Sequence, residues 1–576
     1  MSTNISKLKR EDLLNKIKAI RGFIAAAPQD ENTGNLLSYL SELEKDVGGK
    51  KYGLIFEEHR EGIDELLETH TPVLTEDKDL FIDNGGQMNF LIEGDNLAAL
   101  KLLEKTHKGK IDFIYIDPPY NTGKKNDEQG GFIYDDAFVD ENDMFIHSKW
   151  LSFMDKRLKI AKKLLSKDGI IFISIGKEEN ASLRILCDEI FGDKNILGQI
   201  VRRTKTTSFR GNYFALRLDY ILCYCGGNVL PKKFMDVTDK SKYTKIETEG
   251  RYKGEAYKDD TAFYLSTLET RPNQRYWIKC PDGELVIPPG ETFPIENDDA
   301  EKADPRNGDG VWRWEVEQYK LKKDYLVFKK TTRSPLLTPA RKKAHWNVYT
   351  KSYFCEKKSN GNIPTELLLD FINRTGTKEL KNLNIKFSFP KPTDLINYLI
   401  QITNKQNDIT ILDFFAGSGT TGHAVMKLNA EDGGKRKFIL CTNNENNICR
   451  DVTYERIKRV IDKESYNASL KFYKVEYVPI DERMYYEYAD ELLKHIRELV
   501  ELENGINFTG NAEIAIVLTE EELADFVANA DDFAKCKKLY LGHDLLPTEE
   551  QEKVIKSRDI EISIIPDYYY RDLQEG

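Results

Sequence analysis

The sequence predicts an α/β fold of the Rossmann-like kind, and three observations carry that prediction. The apolar block Ile111–Ile116 ends directly in Asp117-Pro118-Pro119-Tyr120. A second block, residues 409–415, runs into the small-residue turn Ala416-Gly417-Ser418-Gly419 and then into a helical stretch. Strand-like and helix-like periods alternate around both. Nearly unbroken blocks of β-branched and aromatic residues read as parallel strands covered on both faces.

Taken in order, residues 1–75 are helix-patterned, with stripes at Leu13-Leu14-Ile17-Ile20 and Ile63-Leu66-Leu67. They read as a packing or dimerisation arm, and a structural brace fits as well. Residues 76–230 carry the first strands. Asn89-Phe90-Leu91-Ile92 is followed by Asp95 and Asn96, then comes Ile111–Ile116. The helical spacing of residues 147–165 and the apolar run 169–175 complete a βαβ unit, with Trp150, Phe153 and Met154 expected in its core. Tyr220 to Tyr224 is a further strand-like run.

At the end of the strand, Pro118 and Pro119 fix the backbone and donate no hydrogen bonds. An acceptor-only carboxylate, a proline carbonyl and an aromatic ring therefore sit together where open α/β sheets bind ligands. The trio suits a planar aromatic amine, with two acceptors for its N–H bonds and a ring for its face. An ordinary turn is the alternative.

Residues 231–385 lose the alternation and become rich in Tyr, Trp, Pro and Gly, with turn signals at Pro281-Asp282-Gly283 and Asn307-Gly308-Asp309-Gly310. They read as an inserted region. Residues 386–475 return to the first domain, so the strand at 409–415 is expected in one sheet with the strand at 111–116 in a circularly permuted order. Residues 476–576 alternate strand and helix again and read as a small acidic α/β domain.

The turn after residue 415 lets a ligand approach the backbone, and the helix N-terminus behind it favours a negative group. Thr420 stands where an NTPase phosphate loop needs lysine, which argues against ATP hydrolysis. Gly417, Gly419 and Gly422 do meet the spacing of a dinucleotide-binding loop, so the glycines alone leave that reading open. Asp413 tilts the balance: it would repel a pyrophosphate and pair with an ammonium. S-adenosylmethionine, with an amino-acid end and a nucleoside end, fits better. After the next strand, Lys437–Thr442, Glu445 is placed to hold ribose hydroxyls, or is a solvated loop acid.

These motifs together resemble the β-class of amino-methyltransferases acting on DNA, in which the catalytic motif precedes the cofactor loop. Several stretches resemble the Mod subunit of type III restriction–modification systems: Glu93-Gly94-Asp95-Asn96-Leu97, residues 117–123, His147-Ser148-Lys149-Trp150-Leu151, residues 169–175, Phe389-Pro390-Lys391-Pro392 and residues 413–425. The likeness runs in consistent order from about residue 50 to about residue 475. It implies a Rossmann-like S-adenosylmethionine-dependent methyltransferase domain, with residues 231–385 as its target-recognition region. Asp117 and the Pro118 carbonyl would accept the adenine N6 hydrogens, Pro119 would stiffen the turn, and Tyr120 would stack on the base. Lys391, Pro392, Phe415 and the loop Ala416, Gly417, Ser418, Gly419 and Thr420 would hold the methionine end of the cofactor beside Asp413. Asp95 and Asn96 would face its adenine, although Asp95 also suits a simple Asp-Asn turn. A cytosine-N4 enzyme would be built similarly. The family works as two copies on double-stranded DNA, and a separate helicase–nuclease restriction subunit can join them. Where Mod sequences commonly carry an acid after Ser-Ile, this chain has Gly176.

The net charge of −11 is unusual for a DNA binder until it is divided. From residue 476 onward 25 acids face 10 basic residues, a balance of −15, so the remainder carries +4. Phosphate neutralisation needs local positive charge. It is expected from Arg202, Arg203, Lys205, Arg210 and Arg217, and from Lys322, Lys329, Lys330, Arg333, Arg341, Lys342, Lys343 and Lys351. No apolar run is long enough to span a membrane, residues 1–10 have no signal-peptide pattern, and the eight cysteines are scattered, with Cys223 and Cys225 too close for the usual zinc pair. A cytoplasmic protein with reduced thiols and no metal is expected.

Overall fold

In the computed structural model the described residues are 5–26, 33–48, 56–122, 144–207, 213–227, 229–236, 243–266, 271–356, 363–403, 405, 407–480, 492, 494–508, 513–529, 535–542 and 545–565. Gly123 and Arg210 of the readings above lie outside them. The chain divides into two compact units. One comprises Met1–Leu230, Leu369–Pro392 and Asp408–Gly576, the other Pro231–Leu368 and Thr393–Asn407.

The first unit is built on a mixed sheet of β1 (His70–Glu76), β2 (Gln87–Glu93), β3 (Ile111–Ile116), β4 (Leu165–Ile175), β5 (Ile196–Arg203), β6 (Leu218–Cys225), β7 (Thr410–Asp413), β8 (Lys437–Thr442) and β9 (Ala468–Pro479). Their order is β1-β9-β2-β8-β7-β3-β4-β6-β5. The strands from β9 to β4 pair in parallel, while β1, β6 and β5 add antiparallel neighbours at the two sides. β1 and β9 run across residues 75 and 475, where domain boundaries were expected.

The two motif-bearing strands pair directly, Ile411 with Phe113 and Leu412 with Ile114. Asp112, the one acid inside β3, accepts from Thr410 N at 3.0 Å and Ser166 Oγ at 3.0 Å, tying three strands together. The helix Ile146–Leu164 covers the sheet with Trp150, Met154 and Leu158, which are buried in one cluster with Ile114, Ile171 and Leu412. The expected helix thus forms but ends at Leu164, since Leu165 opens β4; Trp150 and Met154 lie in the expected core, and Phe153 packs half-buried against it. The Arg157 guanidinium is wholly buried on this helix. It is held by Glu61 at 2.7 and 3.0 Å and by the Asn96 side chain.

The helices Ile5–Ala26 and Thr33–Gly48 pack on each other, joined by Arg21 to Ser41 and Glu44. Only Ile17 of the first apolar stripe is buried, while Leu13 and Ile20 stay exposed. Toward the C-terminus, strands Ile514–Val517, Lys538–Leu541 and Glu561–Ile564 form a parallel sheet. The intervening helices each begin with a reciprocal cap, Thr519 with Glu522 and Thr548 with Gln551. A small core around Leu523, Leu539 and Ile555 serves this layer.

The second unit holds a four-stranded antiparallel sheet of Leu326–Lys330, Trp346–Tyr353, Ala256–Ala262 and Lys245–Ile246. Its core is aromatic, with Phe263, Tyr276, Trp312 and Trp346. Arg275 is buried and donates to the carbonyls of Thr292, Pro288 and Gly310, which fastens the Pro-Gly turns into one piece.

Among the described residues no helix is long and apolar enough to cross a membrane. All eight cysteines are free thiols, Cys223 and Cys225 being buried in β6. One buried ion pair joins β9 to the helix Ile496–Asn504: Lys471 to Glu501 at 2.5 Å, with Tyr473 Oη donating to the same carboxylate at 3.0 Å. Lys471→Met leaves Glu501 charged and buried, so unfolding free energy should fall by about 3–5 kcal/mol. Adding Glu501→Leu should restore most of it, as read by urea denaturation.

Candidate active site

At the C-terminal end of β3 the chain turns through Asp117, Pro118, Pro119 and Tyr120. The Trp150 indole N–H donates to the Pro119 carbonyl at 2.8 Å, so the helix Ile146–Leu164 holds the turn from behind. Asp117 Oδ2 accepts from the Lys391 ammonium, whereas Oδ1 is buried with no hydrogen-bond partner among the described residues. A buried acceptor left open costs free energy unless a ligand fills it. Lys391 Nζ also lies 5.0 Å from the centroid of the Tyr120 ring. Burial, with Asp117 and Asp219 nearby, pushes the Tyr120 phenol far up, so it stays a neutral hydroxyl.

The Tyr120 ring is packed on a glycine. A Cβ at Gly176 would fall 2.9 Å from Tyr120 Cδ2 and 2.7 Å from Glu178 Oε2, so any side chain there must displace the ring or the carboxylate. Gly176, the point of departure from the Mod pattern, is therefore part of how this pocket wall is built. Tyr120 Oη is 3.4 Å from Asp219 Oδ2, and Arg202 clamps Asp219 along one guanidinium edge, with Nε donating to Oδ1 at 2.9 Å and Nη2 to Oδ2. Arg202 is fully buried and also donates to the Phe371 carbonyl at 2.8 Å. This corrects the reading of Arg202 as a contact to DNA phosphates: it faces inward on β5 and backs the tyrosine. Arg203 donates to the Leu369 carbonyl, and Arg217 stays exposed. Just past Tyr120, Asn121 and His147 both reach the buried Glu179 carboxylate. Nothing in the spacing of the sequence points to Glu179 or Asp219, because their places depend on how β4 and β6 pair.

The second half of the site begins at the end of β7. Asp413 is buried and accepts from the backbone N of Phe415 at 3.0 Å and from Thr421 Oγ1 at 2.6 Å. Burial pushes its carboxyl up to about 7, against the lowering effect of those two donors. Both its oxygens are engaged inside the loop, so in this structure Asp413 shapes the turn. Phe415 is also buried, tilted against Phe153 at 5.8 Å. Gly419 precedes the helix Thr420–Asp432 with φ +71°, a left-handed conformation that favours glycine. The helix Glu455–Glu464 supplies a buried cation that sequence reasoning passed over. Arg456 Nη1 reaches Thr420 Oγ1 at 2.8 Å and Ser418 Oγ at 3.2 Å, and Nη2 pairs with Glu379 at 3.2 Å. Thr453 Oγ1 donates to the Gly417 carbonyl at 2.6 Å.

Lys391 joins the halves, since its carbonyl accepts from Thr420 Oγ1 at 3.3 Å while its ammonium is on Asp117. Pro392 is buried beside it. Glu445 is exposed at the start of a short 3-10 turn, Glu445–Asn447, after β8. Asp95 caps the helix Asn96–His107 by accepting from Leu97 N at 2.7 Å, the turn-type role given as its alternative. Asn96 is buried and donates to the Phe414 carbonyl at 3.0 Å, linking β2 to the loop after β7. Nearby, Arg450 bridges Glu93 at 2.6 Å and Asp77 at 3.0 Å. The loop's glycines, its helix N-terminus and the Lys391 cation suit a ligand with a carboxylate end. In the second unit Lys322, Lys330, Arg333, Arg341, Lys342 and Lys343 are exposed. Lys329 and Lys351 are engaged with Asp259 and Glu247, which makes them less available as phosphate contacts than expected.

Two outcomes follow from this geometry. Gly176→Ala should displace the Tyr120 ring and lower kcat/KM by about 10²-fold, with cofactor affinity by calorimetry unchanged. For Asp413 the folded state binds the extra proton between the unfolded value and about 7, so its contribution to stability falls as pH rises through that window. The Tm of the wild type minus that of Asp413→Asn should therefore shrink from about pH 4 to about pH 7. A difference that stays constant would contradict the raised carboxyl.

Residues 111–455 match the family of DNA methylases that spans N6 and N4 enzymes. Over 430 residues the chain is 32% identical to the type III restriction-modification enzyme StyLTI Mod subunit of Salmonella typhimurium, covering 66% of this chain and 56% of that one. It is 31% identical over 400 residues to the EcoPI Mod subunit of Escherichia phage P1, covering 63% and 58%. With the type II methyltransferase M.KpnI of Klebsiella pneumoniae it shares 35% identity over 369 residues, covering 61% of this chain and 79% of that one. The chain thus spans little more than half the length of the two Mod subunits. A profile that runs from β3 past the end of β8 takes in both half-sites, and the chain belongs to this family of N6/N4 DNA methylases.

Proposed function

We propose that this chain is an S-adenosylmethionine-dependent adenine-N6 DNA methyltransferase, the modification subunit of a type III restriction–modification system. The observation that carries the reading is Asp117, whose Oδ1 is buried and open at the sheet's C-terminal edge beside the Tyr120 ring. Asp117 and the Pro118 carbonyl accept the two N6 hydrogens, and Tyr120 stacks on the base. The lone pair of an aromatic amine is delocalised, and bonds to both hydrogens draw the nitrogen toward tetrahedral geometry. Most of the catalysis is then positioning and electrostatic preorganisation. When bound, the cofactor supplies an electrophilic methyl on a sulfonium. Lys391 and the loop 416–420 hold its methionine end, Glu445 its ribose, and Asp95 and Asn96 lie toward its adenine.

The target base leaves the duplex to reach this pocket, at a cost of a few kcal/mol. The exposed lysines and arginines of the second unit contribute phosphate contacts, with residues 231–385 as target-recognition region. Two copies act on one double-stranded site in the cytoplasm, and a restriction subunit joins them.

Mass analysis of nucleosides from DNA treated with the protein and the cofactor should yield N6-methyladenine. N4-methylcytosine as the product would replace the adenine reading with its cytosine counterpart. In a tritium-transfer assay Asp117→Ala should lose at least about 10²–10³-fold in rate, the scale of one preorganised partner of the reacting group. Wild-type activity in that variant would remove Asp117 from the mechanism.

A further inference from the structure

Lys391 is tied to both halves of this site, by its backbone to one and by its side chain to the other. Its backbone is fastened to the cofactor loop through Thr420, its stem is nearly buried, and its ammonium covers Asp117 Oδ2. Two demands on that ammonium conflict. A carboxylate arriving at the loop 416–420 offers it a second anionic partner. A target amine arriving at Asp117 finds Oδ1 open, but the ammonium on Oδ2 draws negative charge from the carboxylate and weakens it as an acceptor. Methylation also makes the amine nitrogen more positive, and a cation held a few ångströms away opposes this in a partly desolvated pocket. A resting ion pair between Lys391 and Asp117 is therefore compatible with folding and unfavourable in the reacting state.

We propose that Lys391 couples the two half-sites. It neutralises Asp117 while the cofactor loop is empty, then exchanges Asp117 Oδ2 for the carboxylate of the cofactor's amino-acid end, which leaves both Asp117 oxygens open to the amine. This rests on the methyltransferase reading above. Lys391 is on this account a positioning residue that acts through Asp117. Because coupling between two binding events is reciprocal, the target base tightens cofactor binding by the same factor.

The test is base capture at equilibrium, read from the fluorescence of 2-aminopurine placed beside the target adenine, whose amine is kept. Wild type, Lys391→Met and Lys391→Arg are titrated with this DNA in three conditions: alone, with saturating sinefungin, and with saturating methylthioadenosine, a nucleoside that lacks the amino-acid end. Saturation is set by calorimetry for each protein. For the wild type, sinefungin should strengthen capture about tenfold and methylthioadenosine should not. Without any cofactor, Lys391→Met should already capture the base about tenfold better than the wild type, because Asp117 is uncovered. Lys391→Arg should restore the sinefungin dependence. The proposal is overturned if cofactor-free Lys391→Met captures no better than the wild type, or if methylthioadenosine couples as strongly as sinefungin. Nucleoside analysis of the product identifies the methylated base separately, so a wrong substrate and a missing coupling give different results.

Discussion

The short parallel contact between β7 and β3 is the constraint on which the rest of the site depends. Two residue pairs, Ile411 with Phe113 and Leu412 with Ile114, bring together strand ends whose acids, Asp117 and Asp413, are 296 positions apart in the chain. Parallel neighbours end on the same edge of a sheet, so pairing alone places the Asp-Pro-Pro-Tyr turn and the glycine loop side by side. Asp112 reinforces the register by accepting from Thr410 N, with the carboxylate inside one strand and the N–H at the start of the other.

Around that contact, buried charge does the fine positioning. Arg157 ties Glu61 to Asn96, Arg202 grips Asp219 behind Tyr120, and Arg456 holds Ser418 and Thr420. Each is fully buried, and each guanidinium has several fixed donors for its acceptors. A buried ion pair adds little net stability compared with an apolar replacement, but it tolerates only a narrow geometry. The three arginines thus restrain the parts of the site that hydrophobic packing would leave loose.

Much of the scaffold was legible from local pattern. The apolar blocks at 111–116 and 437–442 are strands with those same limits, and the helix, its N-terminal glycine turn and the alternating acidic C-terminal segment follow their periods. Other features resisted reading because long polar side chains choose partners only in three dimensions. Arg202 looked like a phosphate contact in a basic cluster and lies inside the protein. Asp413 looked free for an ammonium and is engaged by Phe415 N and Thr421. Gly176 was a departure from a pattern until the Tyr120 ring was found packed on it.

By itself, the sequence determined the strand-and-turn grammar of this protein and the chemical types at its two motifs, because backbone stiffness at Pro118 and Pro119 and the freedom of glycine at 417 and 419 are local properties. Tertiary structure decided which atoms are available. Asp117 Oδ2 is covered by a lysine 274 positions away, Oδ1 is left open, and the tyrosine is backed by a buried pair on antiparallel strands. Hydrogen-bond partners and desolvation depend on what packs nearby, and only the folded chain sets that.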